Sequence, residues 1–320
     1  MRRAVVESVG HYLPKRVVEN SEFEATLDTN DYWIQSRTGI ERRHFAAENE
    51  TTSDMGIKAA LAALENADCK IDDVDAIILA TSTADLTFPS AATMVQNGLG
   101  MRHGFAFDVQ AVCAGFLYAL TTANSMIASG QANRILVIGS ETFSKLMDWS
   151  DRGTCVLFGD GAGAMLISAQ EDDISNRGIL ATTLRSDGRY KDILYVDGGV
   201  SLQTTGHLRM EGKEVFRHAV EKLSATALEA IDQAGLTTDD VDWIVPHQAN
   251  KRILEGMSKR LRIPMDRVVM TVNNHGNTSA ASIPLAMAIA VQDKRIKQGD
   301  IVVTGAIGGG LAWGTAVICW

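Results

Sequence analysis

Short unbroken apolar runs alternate with helical patterns along this chain, and the alternation occurs twice. Residues 72–81 read DDVDAIILAT and residues 239–248 read DDVDWIVPHQ, an offset of 167. The first four positions are identical, and each block continues as a β-rich apolar run. RILVIGS at 134–140 parallels DIVVTGA at 300–306, an offset of 166. A helical pattern precedes each DDVD block, at 53–67 and at 213–234. After each block the order helix, strand, glycine-containing turn, helix, strand is predicted. The opening MRRAVVESVGHYLP reads as a strand, and FAFDV at 105–109 as another.

Two helices are apolar nearly all round: CAGFLYALTTANSMIASG at 113–130 and TSAASIPLAMAIAVQDKRIKQG at 278–299. They hold matching places in the two repeats. A helix without a polar face is buried on all sides, so the pair predicts a central helical layer between two sheets. The expected fold is therefore α/β, a five-layer α-β-α-β-α sandwich of two duplicated halves. The polar stretch AQEDDISNRG near 169–178 sets the expected division at 1–172 and 173–320.

The 320 residues, 46% of them hydrophobic, suffice for a large core. There is no run of 18 or more apolar residues and no signal-peptide pattern, so a cytoplasmic protein without membrane insertion is expected. Cys69, Cys113, Cys155 and Cys319 are scattered, and so are the seven histidines. Neither a disulfide framework nor a metal site is predicted. The formal charge of −9 argues against nucleic acid. Basic residues do gather: Lys213, Arg217 and Lys222 in one predicted helix, and Lys251, Arg252, Lys259, Arg260 and Arg262 around another. These are either a solvated helix face or a docking patch for an acidic partner.

Duplicated halves share structural residues, so a reactive group in only one half at a strand end marks function. Ligands of open α/β sheets sit beyond the carboxyl ends of strands. Cys113 follows FAFDV at the predicted start of a buried helix, where the helix N-terminus is expected to lower its pKa. At offset 166 its counterpart is Ser279. The alternative is a small packing residue, the reading kept for the other three cysteines. His247 ends the run WIVPH, where the first half has Ala80. Asn277, in NNHGNTSAAS, sits at the turn into the second buried helix; as a turn residue it can also be a cap. Three glycines in GAIGGGLAWG follow a strand, and a backbone amide there can join that of Cys113 as an oxyanion hole. FGDGAGAML at 158–166 lacks dinucleotide-motif spacing and reads as structural.

Taken together these motifs closely resemble the β-ketoacyl-acyl carrier protein synthases of type III, in the thiolase superfamily. The resemblance covers essentially the whole chain. It includes DYWIQSRTGIERRH (31–44), FPSAA (88–92), AVCAGF, DRGTCVLFGDGAGA (151–164), EGKEVFRHAV (211–220), VPHQAN, NHGNTSAAS and GGG. It implies a homodimer and a catalytic triad of Cys113, His247 and Asn277, with the amides of Cys113 and Gly309 as oxyanion hole. The implied reaction condenses acetyl-CoA, or another short acyl-CoA, with malonyl-acyl carrier protein. It gives acetoacetyl-acyl carrier protein, CoA and carbon dioxide, and needs no metal or other cofactor.

By family position, Trp33 and Arg152 sandwich the adenine of CoA, while Thr29, Arg37, Gly212, Ala249 and Asn250 line its path. Gln248, Ala249, Asn250, Lys251 and Arg252 match the carrier-protein docking segment, extended by Arg217, Lys259 and Arg260. Phe88, Phe158 and Ile307 belong to the acyl pocket, with Phe88 reaching across the dimer interface. Many relatives carry Phe where this chain has Ile307, so a pocket accepting more than acetyl is expected. Degradative thiolases have a second cysteine where this chain has Ala306. Elongating synthases have a second histidine where it has Asn277. Two competing readings remain: transfer of the acyl group to a different acceptor, and non-catalytic binding of acyl-CoA.

Overall fold

The structure, a computed structural model, describes residues 2–171 and 177–320. The first half begins with β1 (Arg3–Tyr12). A ribbon of β2 (Arg16–Glu19) and β3 (Arg42–Phe45) encloses α1 (Ser21–Glu24) and α2 (Asp31–Thr38). Then come α3 (Thr52–Asn66), β4 (Ala76–Ala80), α4 (Ala91–Gly98), β5 (Phe105–Val109), α5 (Gly115–Ala128), β6 (Arg134–Thr142) and β7 (Asp160–Gln170). The second half has β8 (Gly178–Ser186), a ribbon of β9 (Leu194–Val196) and β10 (Leu208–Met210), and α6 (Gly212–Gln233). It continues with β11 (Trp243–Ile244), α7 (Lys251–Leu261), α8 (Val272–His275), α9 (Ser282–Gln292), β12 (Ile301–Gly308) and β13 (Ala312–Cys319). The expected division at 172/173 falls outside the described residues.

One sheet has the order β1-β7-β6-β4-β5 and the other β8-β13-β12-β11. The second repeats the first strand for strand, which is the duplication seen in the sequence. Its fifth position is held by a single parallel bridge between Ile244 and Val268.

Strand patterning explains the layers. In β4, Ala76, Ile78 and Ala80 join the central core, while Ile77 and Leu79 join the outer one with Met55 and Ala59 of α3. Buried on both faces, the strand reads as a continuous apolar run. β12 divides likewise: Val302 and Ala306 face the central core, Val303 and Ile307 the cluster containing α6 and α7. The central core joins both sheets through α5 and α9. The layers are thus α3/α4, first sheet, α5/α9, second sheet, α6/α7, as the pattern predicts. The outermost helices carry their own start signals; α3 opens with a capping box between Thr51 and Asp54.

The central helices are shorter than expected and not equally enclosed. α9 is buried from Ser282 to Ala288, whereas the last two turns of α5 expose Ser125 and Ala128. Each is preceded by a short 3₁₀ turn, at Val112–Ala114 and Ser279–Ala281.

Candidate active site

Cys113 lies in the 3₁₀ turn, two residues before α5. The turn is strained: Val112, a β-branched residue, has φ +49°, in the region that favours glycine. Ser279, opening the equivalent turn, has φ +48°. This match pairs Val112 with Ser279 and therefore Cys113 with Ala280, at offset 167. The expected counterpart, Ser279, is thereby corrected by one position. The expected acidification of the thiol is also reversed. Burial pushes Cys113 up to about 12, the nearby Glu141 charge adds to it, and the Ser279 hydroxyl opposes it. With no cation beside it among the described residues, the end of a short turn does not offset full desolvation.

The same offset pairs Gly115 with Ser282 and Ala80 with His247. In the first half the pair is inert: a Cβ on Gly115 would sit 3.3 Å from the Ala80 Cβ. In the second half it becomes polar. Ser282 Oγ lies 2.6 Å from His247 Nδ1 and accepts the Gln248 backbone N–H at 3.3 Å. Nδ1 is the one acceptor the described contacts offer the Ser282 hydroxyl, so that hydroxyl donates to it. The ring proton is then on Nε2. Burial drives the pKa of His247 down to about 3, so the ring stays neutral. The strand before it is shorter than predicted, yet the backbone stays on β12: Val245 N–H bonds Val303 O and His247 N–H bonds Gly305 O.

Asn277 is held at both ends. Its backbone pairs with residues 157–159, donating to Leu157 O at 2.8 Å and accepting from Gly159 N–H at 3.0 Å. Its side-chain Oδ1 accepts the Ser279 N–H at 2.9 Å. The Nδ2 end is left as a donor for the cavity. Ser282 and Ser279, neither singled out by sequence reasoning as an active part of the site, thus orient the two neutral donors.

Cys113, His247 and Asn277 line one narrow cavity of about 100 Å³. Phe158 and Ile307 form part of its apolar wall, with Phe143, Leu194 and Leu208. Gly212, Ala249 and Asn250 line it as well. The glycine run makes the closeness possible. A Cβ on Gly308 would stand 2.7 Å from the Cys113 backbone N, and one on Gly309 would stand 2.5 Å from Leu194 O. Gly308 thus lets the strand end approach the nucleophile turn, and Gly309 lets it approach Leu194. A buried thiol, an imidazole N–H and a carboxamide N–H around an apolar chamber suit covalent acyl transfer with stabilisation of a developing oxyanion.

The family described as 3-oxoacyl-[acyl-carrier-protein] synthase III matches residues 107–188, and its C-terminal region matches residues 231–320. A β-ketoacyl-[acyl-carrier-protein] synthase III of Ruegeria sp. (strain TM1040) is 70% identical, over 100% of this chain and 99% of the relative. The chain belongs to the 3-oxoacyl-[acyl-carrier-protein] synthase III family. The synthase III crystal structure from Aquifex aeolicus VF5 superposes with a TM-score of 0.94 at 42% identity, over 99% of this chain and 100% of that one. That from Pseudomonas aeruginosa PAO1 gives 0.93 at 40%, over 99% and 98%. The thiolase-like fold and a condensing activity that begins type II fatty-acid synthesis follow from this membership.

The other positions taken from the synthase III resemblance lie around the mouth. Asn30 caps α2 by accepting the Trp33 N–H, which sets the indole. The Arg152 guanidinium lies 5.0 Å from the Trp33 ring centroid and that of Arg37 5.7 Å. Arg152 also bonds the backbone oxygen and carboxylate of Asp28. Trp33 and Arg152 thus stack on each other, and a base between them needs the guanidinium to swing away. The buried Thr29 hydroxyl has no partner among the described residues. Asn250 caps α7 and bonds Arg37 O, while Arg252 bonds Ser36 O, so α7 holds the C-terminal end of α2. Lys251, Arg252, Lys259 and Arg260 are exposed on α7, and Arg217 on α6 pairs with Glu214.

Two expectations need revision. Gln248 cannot dock a partner: it is 1% exposed. Its Nε2 donates to Pro246 O and Val269 O, and its Oε1 accepts the N–H groups of Thr271 and Val272. It braces the His247 loop instead. Phe88, 81% exposed, is absent from the cavity wall of its own chain.

Proposed function

We propose that this synthase uses an acyl-Cys113 intermediate to condense acetyl-CoA, or another short acyl-CoA, with malonyl-acyl carrier protein. The observation that carries the reading is the single cavity bounded by Cys113, His247 and Asn277, with the two donors fixed by Ser282 and Ser279. The Cys113 sulfur attacks the thioester carbonyl, and the amides of Cys113 and Gly309 take the developing negative oxygen. CoA departs. Malonyl-acyl carrier protein then occupies the same cavity and loses carbon dioxide, which places negative charge on its thioester oxygen. His247 Nε2–H and Asn277 Nδ2–H donate to that oxygen. The resulting carbon nucleophile attacks the acyl-Cys113 carbonyl, releasing the β-ketoacyl product and the thiol. No metal or other cofactor takes part in this scheme.

In the same reading Trp33, Arg37 and Arg152 take the nucleotide of CoA, with Thr29, Gly212, Ala249 and Asn250 along the path. The basic side chains of Arg217, Lys251, Arg252, Lys259 and Arg260 receive the acidic carrier protein. The enzyme acts in the cytoplasm as a homodimer in which Phe88 enters the partner's acyl chamber. The test is intact-mass measurement after mixing with acetyl-CoA. An acetyl adduct on the native chain, absent in Cys113→Ala, is expected; no adduct on the native chain overturns the acyl-cysteine scheme.

A further inference from the structure

One arginine of the motif DYWIQSRTGIERRH lies in the core. Arg43 is 0% exposed and points inward from β3, as Phe45 does, where the alternation of the strand calls for an apolar residue. Its guanidinium lies 4.8 Å from the Phe23 ring centroid. Its hydrogen bonds go to neutral acceptors. Nη1 donates to Asn20 Oδ1 at 2.8 Å and to Val18 O at 3.3 Å, and Nη2 donates to Val156 O at 2.6 Å. Nε has no partner among the described residues. Burial lowers the pKa to about 10, so the group stays charged at neutral pH. A cation buried without a bonded carboxylate is costly, and the condensation scheme gives it no part.

Its acceptors lie on two sides. On one side, Val156 leads into the segment that pins Asn277: Leu157 O accepts the Asn277 N–H and Gly159 N–H donates to Asn277 O. The Arg43 stem packs against both of these segments. A Cβ on Gly159 would stand 3.0 Å from the Arg43 Cβ, and one on Gly276 would stand 3.1 Å from it. On the other side, Asn20 passes the contact to both ends of α2. Its Nδ2 donates to Asp31 Oδ1 at 2.8 Å and to Ile40 O at 2.7 Å. Asp31 opens α2, Ile40 follows its Gly39 cap, and Trp33 and Arg37 lie between. The backbone adds a bond from Glu41 N–H to Asn273 O at 2.8 Å. His247 is held separately, by Ser282.

We propose that Arg43 is a positioning residue that aims the Asn277 carboxamide for the decarboxylation step and, through Asn20, fixes the helix that takes the nucleotide of CoA. This rests on the acyl-cysteine reading. Arg43 is fully buried and absent from the cavity wall, so it touches neither substrate nor reacting atoms. It acts through Val156 and Asn20. The planar fork of a guanidinium reaches acceptors on both sides at once, with its donors at fixed angles; a lysine ammonium is a single point on a flexible stem. Without the fork the segment behind Asn277 loses its anchor, and the Nδ2 donor drifts from the developing oxyanion. Cys113 and His247 sit on other turns and keep their places.

The test is Arg43→Lys, with Arg43→Met as a second variant that removes the buried charge and keeps an unbranched stem; circular dichroism selects the variants that fold. Release of carbon dioxide from malonyl-acyl carrier protein is expected to fall about thirtyfold, less than the roughly hundredfold cost of removing an oxyanion donor outright. Acetyl transfer to Cys113 at saturating acetyl-CoA is expected to stay within about twofold, while the KM for acetyl-CoA rises about fivefold. In an Asn277→Ala background the Arg43 substitutions should cause no further loss of decarboxylation, because a donor already gone cannot be misaimed. A merely structural role adds its own loss there. A native decarboxylation rate, or full additivity with Asn277→Ala, overturns the Asn277 assignment. A native KM for acetyl-CoA overturns the tie to α2. Absence of an acetyl adduct on the native chain overturns instead the reading beneath both.

Discussion

At the scale of single residues, the site depends on which hydrogen faces the cavity. His247 is useful as a donor only with its proton on Nε2, and the Ser282 hydroxyl at 2.6 Å is what holds it there. Replacing Ser282 by alanine leaves Nδ1 and the Gln248 N–H unpaired in a buried place. A lost buried hydrogen bond of about 1–2 kcal/mol corresponds to roughly tenfold in rate. Ser282→Ala is therefore expected to slow condensation about tenfold while acetyl transfer from CoA to Cys113 is little changed. Measuring the two half-reactions separately checks this; equal losses in both would reduce Ser282 to a packing residue. Cys113, His247 and Asn277 were legible because each breaks the repeat with a reactive group at a strand or helix end. Ser282 was not, because a serine near a helix start reads as a cap. The signal was nonetheless present: at offset 167 Ser282 replaces Gly115 as His247 replaces Ala80, two coordinated departures at positions that touch.

Elements place these residues through contacts that local sequence does not announce. The motif FGDGAGAML reads as structural, and β7 does begin at Asp160. The residues just before it also pin Asn277 from both sides. A Cβ on Gly159 would fall 2.4 Å from His275 O, so a side chain there must push the Asn277 segment away. Gly159→Ala is expected to lower condensation at least tenfold while acyl-Cys113 still forms, since Cys113 sits on a different turn. Separate assays of the two steps decide it, and a larger loss in acylation would refute the assignment. Periodicity predicted α3 and α6 closely, and β5 and β6 at their observed starts, because each carries a long enough run of one period. It overstated β11, which keeps only Trp243 and Ile244 in ladder form. It gave no sign of the β9–β10 ribbon, whose three-residue strands exist only as a tertiary pairing.

At the scale of the whole molecule, one edge of the first sheet is left open. β5 is its last strand, and its side chains are half-buried or exposed although four of the five residues are apolar. Phe105 is 39% exposed and stacks on Phe107. An apolar strand with an unpaired edge favours addition of another strand. A second copy adding its own β5 antiparallel would satisfy that edge and join the two sheets into one. Exposed Phe88 and Leu86 lie on the chain between β4 and β5, so the same association carries them toward the neighbour. The proposed homodimer and the proposed crossing of Phe88 thus share one edge, and disrupting that edge is expected to abolish both. Lysine at position 105 charges the edge without removing a buried side chain. Phe105→Lys is expected to convert a dimer in light scattering at micromolar concentration into a monomer with an unchanged circular-dichroism spectrum. Its acyl transfer is expected to fall at least tenfold if, as proposed, a partner's Phe88 completes the chamber lined by Leu194 and Leu208. A native chain that is monomeric, or a Phe105→Lys variant that stays dimeric and fully active, would place the completion of the chamber within a single chain.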